Sequence, residues 1–261
     1  MTEIPEPPFS PTPASPSTPP PAAGPKSNVF ARFAGVLFAP AETFREIARR
    51  PDVIAPLLVL VIISILSSAL LIPRMDFQAA VRTQMENSGR QMSSEDMERA
   101  VKMGSAVGKA IAWFAPLLNI GWFALVSGVL LLAFRLFGGE GTYKQAFSAT
   151  LYSWVPLTIF GILLAVIAVS RGTVDPIEMA TLVKSNPAFL VDLKTQPILF
   201  TLLGAFDVFT IWTVVLLIFG FAELAKTPKS RAAGIVISLW IVMIVIRIGF
   251  AALGAMGKKA S

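Results

Sequence analysis

The chain has 261 residues, a formal net charge of +6, and neither histidine nor cysteine; 54% of it is hydrophobic and only 15% charged. Soluble domains average about 25% charged residues, so the composition argues against a soluble chain and for one membrane domain. Without His and Cys the commonest general base, the softest nucleophile and two main transition-metal ligands are missing. No catalytic residue, metal site or cofactor is therefore expected, and there is no disulfide framework.

Residues 1–28 form a polar, proline-rich arm with P-x-x-P spacings. Such a segment has few backbone donors and little apolar surface to bury, so it is expected to stay extended and disordered, as a spacer or as a docking segment for an aromatic groove. No cleavable signal peptide is visible, because the start is neither basic nor apolar. Next, Phe30, Phe33 and Leu37 recur at helical spacing, and Phe44 and Ile47 do so after Pro40. Arg45, Arg49 and Arg50 supply the polar side. The pattern predicts short amphipathic helices in the membrane interface, broken at Pro40 and ended at Pro51, with Phe44 and Ile47 among acyl chains and the three arginines at lipid phosphates.

Five apolar segments follow, at about 53–72, 111–134, 148–169, 198–221 and 232–254. Each is close to the 20 residues that carry an α-helix across a hydrocarbon core of about 30 Å. A helix is the single segment that satisfies its own backbone there. The expected fold is an all-α, five-span bundle over residues 29–256, with an N-terminal interfacial helix and a short tail at 257–261. Pro56 falls in the first turns of span 1, where proline is tolerated. In the long loop at 73–110, Ser93 before Ser94-Glu95-Asp96 reads as a helix N-cap, starting a helix that runs into span 2. Span 2 holds Pro116, Asn119, Gly121, Ser127 and Gly128, and span 3 holds Pro156 and Gly161; small and hydroxyl residues of this kind favour close helix packing. Gly138-Gly139-Glu140-Gly141 reads as a tight interspan turn, since it lacks the strand, helix and Lys-Ser/Thr ending of a phosphate loop.

An odd number of spans places the termini on opposite sides. Lys and Arg divide almost evenly between the two, but Arg45, Arg49 and Arg50 crowd the start of span 1 and favour a cytoplasmic N-terminus in the cytoplasmic membrane. The basic residues lie between spans and mix with acids, so lipid headgroups rather than nucleic acid are the expected partner.

Asp207 and Arg247 are the charges expected well inside spans, where each costs about 2.5–3.5 kcal/mol on insertion scales. Spans 4 and 5 are antiparallel neighbours, which puts the two residues at similar depth. Three readings follow: a charge pair locking spans 4 and 5, a proton or solute path, or Arg247 snorkelling alone to the interface. An intramembrane serine or aspartyl protease is not supported, because no base and no second carboxylate accompany a candidate nucleophile.

GGEGTYKQAFSATLYSWVP at 138–156 resembles the glycine-pair loop and proline helix of the Yip-type (Ypt-interacting protein) domain family. DVFTIWTVVLLIFGFAELAKTPKSRA at 207–232 resembles the fourth span and final hairpin of its bacterial members, and FAPAETFREIARRP and SSEDMERAV are similar too. The resemblance implies a five-span helical bundle with a cytoplasmic N-terminus. Eukaryotic members are implicated in binding prenylated small GTPases and carry an aromatic acidic signature of the type Asp-Leu-Tyr-Gly-Pro before span 1; this chain has none. The expected role is a non-enzymatic membrane scaffold or adaptor that contacts the lipid bilayer and a soluble or membrane protein partner. The alternative is a small transporter or channel component using Asp207 and Arg247.

Overall fold

The computed structural model describes residues 28–86, 92–176, 179–193 and 195–259. The proline-rich arm, apart from Asn28, and the last two residues of the tail lie outside this set. Every regular element among the described residues is helical; the one extended contact is a bridge between Met75 and Val174.

Two short helices come first, α1 (Val29–Phe38) and α2 (Pro40–Arg49). The Asn28 side chain caps α1 by accepting from the Ala31 N–H at 2.8 Å. Pro40 takes the first position of α2, where its missing N–H costs nothing. The chain then crosses in α3 (Ile54–Leu71) and turns into α4 (Phe77–Glu86). The expected cap forms: Ser93 Oγ accepts from the Asp96 N–H, and α5 (Ser94–Leu136) runs 43 residues without a break. At 1.5 Å per residue that is about 65 Å, twice the hydrocarbon thickness. Its first half therefore projects beyond the membrane, where α4 lies against it. Gly104 and Gly108 permit that approach, since a Cβ on Gly104 would sit 2.9 Å from Val81 Cγ1.

The third span is α6 (Tyr143–Ser153) followed directly by α7 (Val155–Arg171). The division at Trp154 follows from Pro156, which cannot donate back to the preceding turn. Thr142 and Gln145 close α6 with a capping box. A polar loop with a four-residue helix, α8 (Met179–Leu182), leads to α9 (Pro197–Gly204) and α10 (Val208–Leu224). These last two are bent by 48° at residues 205–207. α11 (Lys229–Lys259) ends the chain. Four stretches are long and apolar enough to cross a membrane, and the bent α9–α10 pair is the fifth candidate, a broken span or a re-entrant loop. The chain is an all-α membrane bundle.

The densest core lies at the end of the bundle that carries α1 and α2. It joins Val36, Phe44 and Ile47 to Leu130 and Phe134 of α5, Ala146, Ala149 and Tyr152 of α6, and Leu216 and Phe221 of α10. α6 is buried from Ser148 to Ser153, so it is the bundle's central post. Its hydroxyls are absorbed within the helix, as in Thr150 Oγ1 to the Ala146 carbonyl at 2.9 Å. The glycine turn seals the same end. Gly138 and Gly141 have φ of +79° and +117°, and a Cβ on Gly141 would meet Leu224 Cδ1 at 2.7 Å. Substitution there is excluded twice, by conformation and by contact.

Gly220 of α10 offers the cleanest test of this core. A Cβ there would lie 3.1 Å from the Phe44 ring, whereas one on Gly234 of α11 would meet nothing within 4 Å. Gly220→Val is expected to destabilise the detergent-solubilised protein by about 1–3 kcal/mol through overpacking, and Gly234→Val to fall near zero. Thermal unfolding followed by circular dichroism measures both.

Candidate functional site

Three polar features remain once the core is drawn: a charged knot under α1, a capped carboxylate at the α9–α10 break, and a cavity between spans. The knot centres on Arg32, the single charge of α1, which is 5% exposed. Its guanidinium donates to Glu46 of α2 at 2.9 Å, to the Arg50 carbonyl at 3.1 Å, and to Asp52 just before α3. Tyr152 of α6 donates to the other Asp52 oxygen at 2.8 Å, and Ser148 Oγ to the Asp52 carbonyl at 2.7 Å. Burial alone would lower the guanidinium pKa, but the hydrogen bond to Glu46 and the charges of Asp52 and Glu46 outweigh it and hold it above its ordinary value. The knot joins α1, α2, the mouth of α3 and the central post. Sequence reading missed it, although a lone arginine in an otherwise apolar ten-residue helix was a usable signal.

The residues expected at the lipid interface divide. Phe44 and Ile47 are each 1% exposed and lie in the protein core, not among acyl chains. The apolar face of α2 is covered by α6 and α10, because Gly220 and Ala149 leave a groove that the Phe44 ring fills. Arg45, Arg49 and Arg50 stay exposed on the outer face. Arg45 also reaches Glu223 of α10 at 3.4 Å. The aromatic side chains that this hairpin does leave uncovered are Phe30 and Phe38 of α1, the latter 86% exposed.

Asp207 and Arg247 are not brought together. Asp207 stands outside the helices, at the break before α10. It is 6% exposed and caps that helix, accepting from the Phe209 N–H at 2.9 Å and the Thr210 N–H at 3.1 Å. Ser185 and Asn186 of the preceding loop donate to its other oxygen. Its charge is thus held by hydrogen bonds and a helix N-terminus, and needs no cation. Arg247 points outward from α11, exposed, and no ion pair joins it to Asp207 among the described residues. The locked pair expected from span counting fails because the fourth segment breaks at 205–207. Gly204 followed by Asp207 was the legible stop-and-start signal.

The cavity, of about 240 Å³, lies between α3, α5 and α7. Ser64, Ser67 and Ser68, Asn119 and Thr158 face it among leucines and Phe123; neither Asp207 nor Arg247 lines it. Among the described residues no group of three or more His, Cys, Asp or Glu side chains could hold a metal ion.

Removing the guanidinium with Arg32→Met is expected to cost about 3 kcal/mol, toward the low end for a broken buried pair because Glu46 and Asp52 are partly solvated. Tyr152→Phe should cost about 1.5–3 kcal/mol, as for a hydrogen bond to a charged group, and the exposed Arg45→Met less than about 1 kcal/mol. Detergent thermal unfolding ranks the three; equal losses for Arg45→Met and Arg32→Met would contradict the assignment. Asp207→Ala should cost about 1–2 kcal/mol as a lost cap, by the same amount with and without Arg247→Leu.

The sequence comparisons agree with this architecture. A relative from Bacillus subtilis (strain 168), "Membrane protein YknW", is 28% identical over 220 residues, covering 81% of this chain and 83% of the relative. No solved structure matches. The family model described as Yip1 domain matches residues 34–249, from the middle of α1 to the last third of α11. The chain belongs to the Yip1 domain family.

Proposed function

We propose that this Yip1-family membrane protein is a non-enzymatic scaffold of the cytoplasmic membrane, with its N-terminus in the cytoplasm. The observation that carries the reading is the seating of α2. Phe44 and Ile47 bind the α1–α2 hairpin into the bundle, while Arg45, Arg49 and Arg50 remain exposed on its outer face. The hairpin is therefore a rigid basic ledge rather than a loose anchor. Such a ledge suits anionic headgroups, with Phe30 and Phe38 placed to dip into the adjoining interface. It also holds the root of the proline-rich arm at a fixed place, from which the arm can reach a soluble partner. The transport alternative built on Asp207 and Arg247 draws no support from the cavity, which neither residue lines.

Both the orientation and the role can be tested. A reporter active only in the cytoplasm should work when fused before Met1 and fail after Ser261; activity at both ends would make α9–α10 a re-entrant loop in a four-span protein. Site-specific photo-crosslinking from the arm in intact cells should give discrete protein adducts that disappear when the arm's prolines are replaced by serine, with the thermal stability of the bundle unchanged. Absence of adducts, together with solute flux in proteoliposomes of the purified chain, would replace the scaffold with a transporter.

A further inference from the structure

The cavity between α3, α5 and α7 is lined mostly by apolar side chains, with the polar groups of Ser64, Ser67, Ser68, Asn119 and Thr158 set among them. Counted at 1.5 Å per residue from the α1–α2 end of each span, Ser64 lies about 15 Å in, Ser68 about 21 Å, Thr158 about 23 Å and Asn119 about 25 Å. In a core of about 30 Å these groups run from the midplane, at Ser64, into the half of the bilayer away from the hairpin. No protein hydrogen bond engages the side chains of Ser64, Ser67, Ser68 or Asn119 among the described residues. Polar groups left this way in hydrocarbon call for a partner from outside the chain.

The chemistry of that partner is narrow. No charged side chain lines the cavity, so the bound portion is uncharged. Three serine hydroxyls both donate and accept, and the Asn119 carboxamide does the same, which suits hydroxyl and ester oxygens. A volume of about 240 Å³ is below the usual range of about 300–1,000 Å³ for a whole small-molecule ligand. It holds a polar segment whose remainder lies elsewhere. Asn119 at the rim is exposed, and so are Leu66 and Leu70 of α3 and Leu117 and Leu118 of α5. The rest of the ligand would therefore run along lipid-facing surface.

We infer that this cavity binds an uncharged acylglycerol, of the diacylglycerol type, by its free hydroxyl and ester oxygens, with the acyl chains lying along α3 and α5. A phospholipid carries the same esters but adds a charged phosphate, for which the lining offers no counter-charge. The absence of any cation in the lining fits the neutral molecule.

Gly161 of α7 provides the blocking variant. It borders the cavity, and a Cβ on it would meet nothing within 4 Å. Gly161→Leu therefore adds its first atom without a clash and places an isobutyl group at the border of the cavity. The full chain is reconstituted in phosphatidylethanolamine–phosphatidylglycerol vesicles containing a few per cent of a diazirine-labelled diacylglycerol. After irradiation the adducts are mapped by mass spectrometry. Adducts should concentrate in residues 60–71, 116–123 and 154–164, and fall at least five-fold in Gly161→Leu. Excess unlabelled diacylglycerol should compete and added phosphatidylglycerol should not. Ser67→Ala, which removes a hydroxyl and adds no bulk, provides a second reading if Gly161→Leu proves unstable, and should lower labelling at least two-fold. Labelling spread evenly over lipid-facing residues such as those of α11, labelling unchanged in a folded variant, or equal competition by phosphatidylglycerol would each overturn the assignment.

Discussion

The structure depends on one buried cation. Arg32 sits in an otherwise apolar helix and finds its counter-charges in two other segments, Glu46 on α2 and Asp52 at the entrance to α3. Asp52 is shared with Tyr152 of the central helix. A charge this enclosed is tolerable only when every partner is in place. The hairpin angle at Ala39, the entry of span 1 and the height of α6 are therefore set together. Once they are set, Phe44 falls into the groove at Gly220 and Ala149, and Ile47 joins the same core.

This arrangement makes the two halves of the bundle unequal. At the hairpin end, buried side chains from seven helices interlock, and the glycine turn locks onto the start of the last hairpin through Gly141 and Leu224. The rest of the bundle holds a smaller core of Leu164, Ala168, Val174 and Leu182, together with the cavity and the broken α9–α10 segment. Membrane helices gain no hydrophobic drive from packing on one another, so close contact must come from small residues and satisfied hydrogen bonds. α6, with its run of Ala, Ser and Thr, supplies both at one end. At the other end α3 supplies hydroxyls that face a cavity.

Much of the fold was legible in the sequence because the bilayer imposes it. Apolar length locates spans, and Pro40 and Ser93 mark an end and a beginning whose causes are local. The glycine turn was equally local. What periodicity could not tell was the identity of the covering surface. Phe44 and Ile47 mark an apolar face on α2, but lipid and protein demand the same residues there, and the choice was made by a glycine 176 residues away. Asp207 misled for a related reason: a carboxylate in an apolar run reads as an intramembrane charge until the chain is seen to break there, turning it into a helix cap. Arg32 was passed over because its partners are distant in sequence or lie in segments that read as surface.

Hydrogen exchange of the full-length protein in nanodiscs tests most directly whether the α1–α2 hairpin is part of the bundle. Amides from Thr43 to Arg49 should be protected to the same degree as those of α6 and α10, opening only with the bundle as a whole. Exchange of that segment on the fast timescale of an interfacial peptide, with α6 and α10 still protected, would contradict the buried-cation lock and return α2 to the membrane surface.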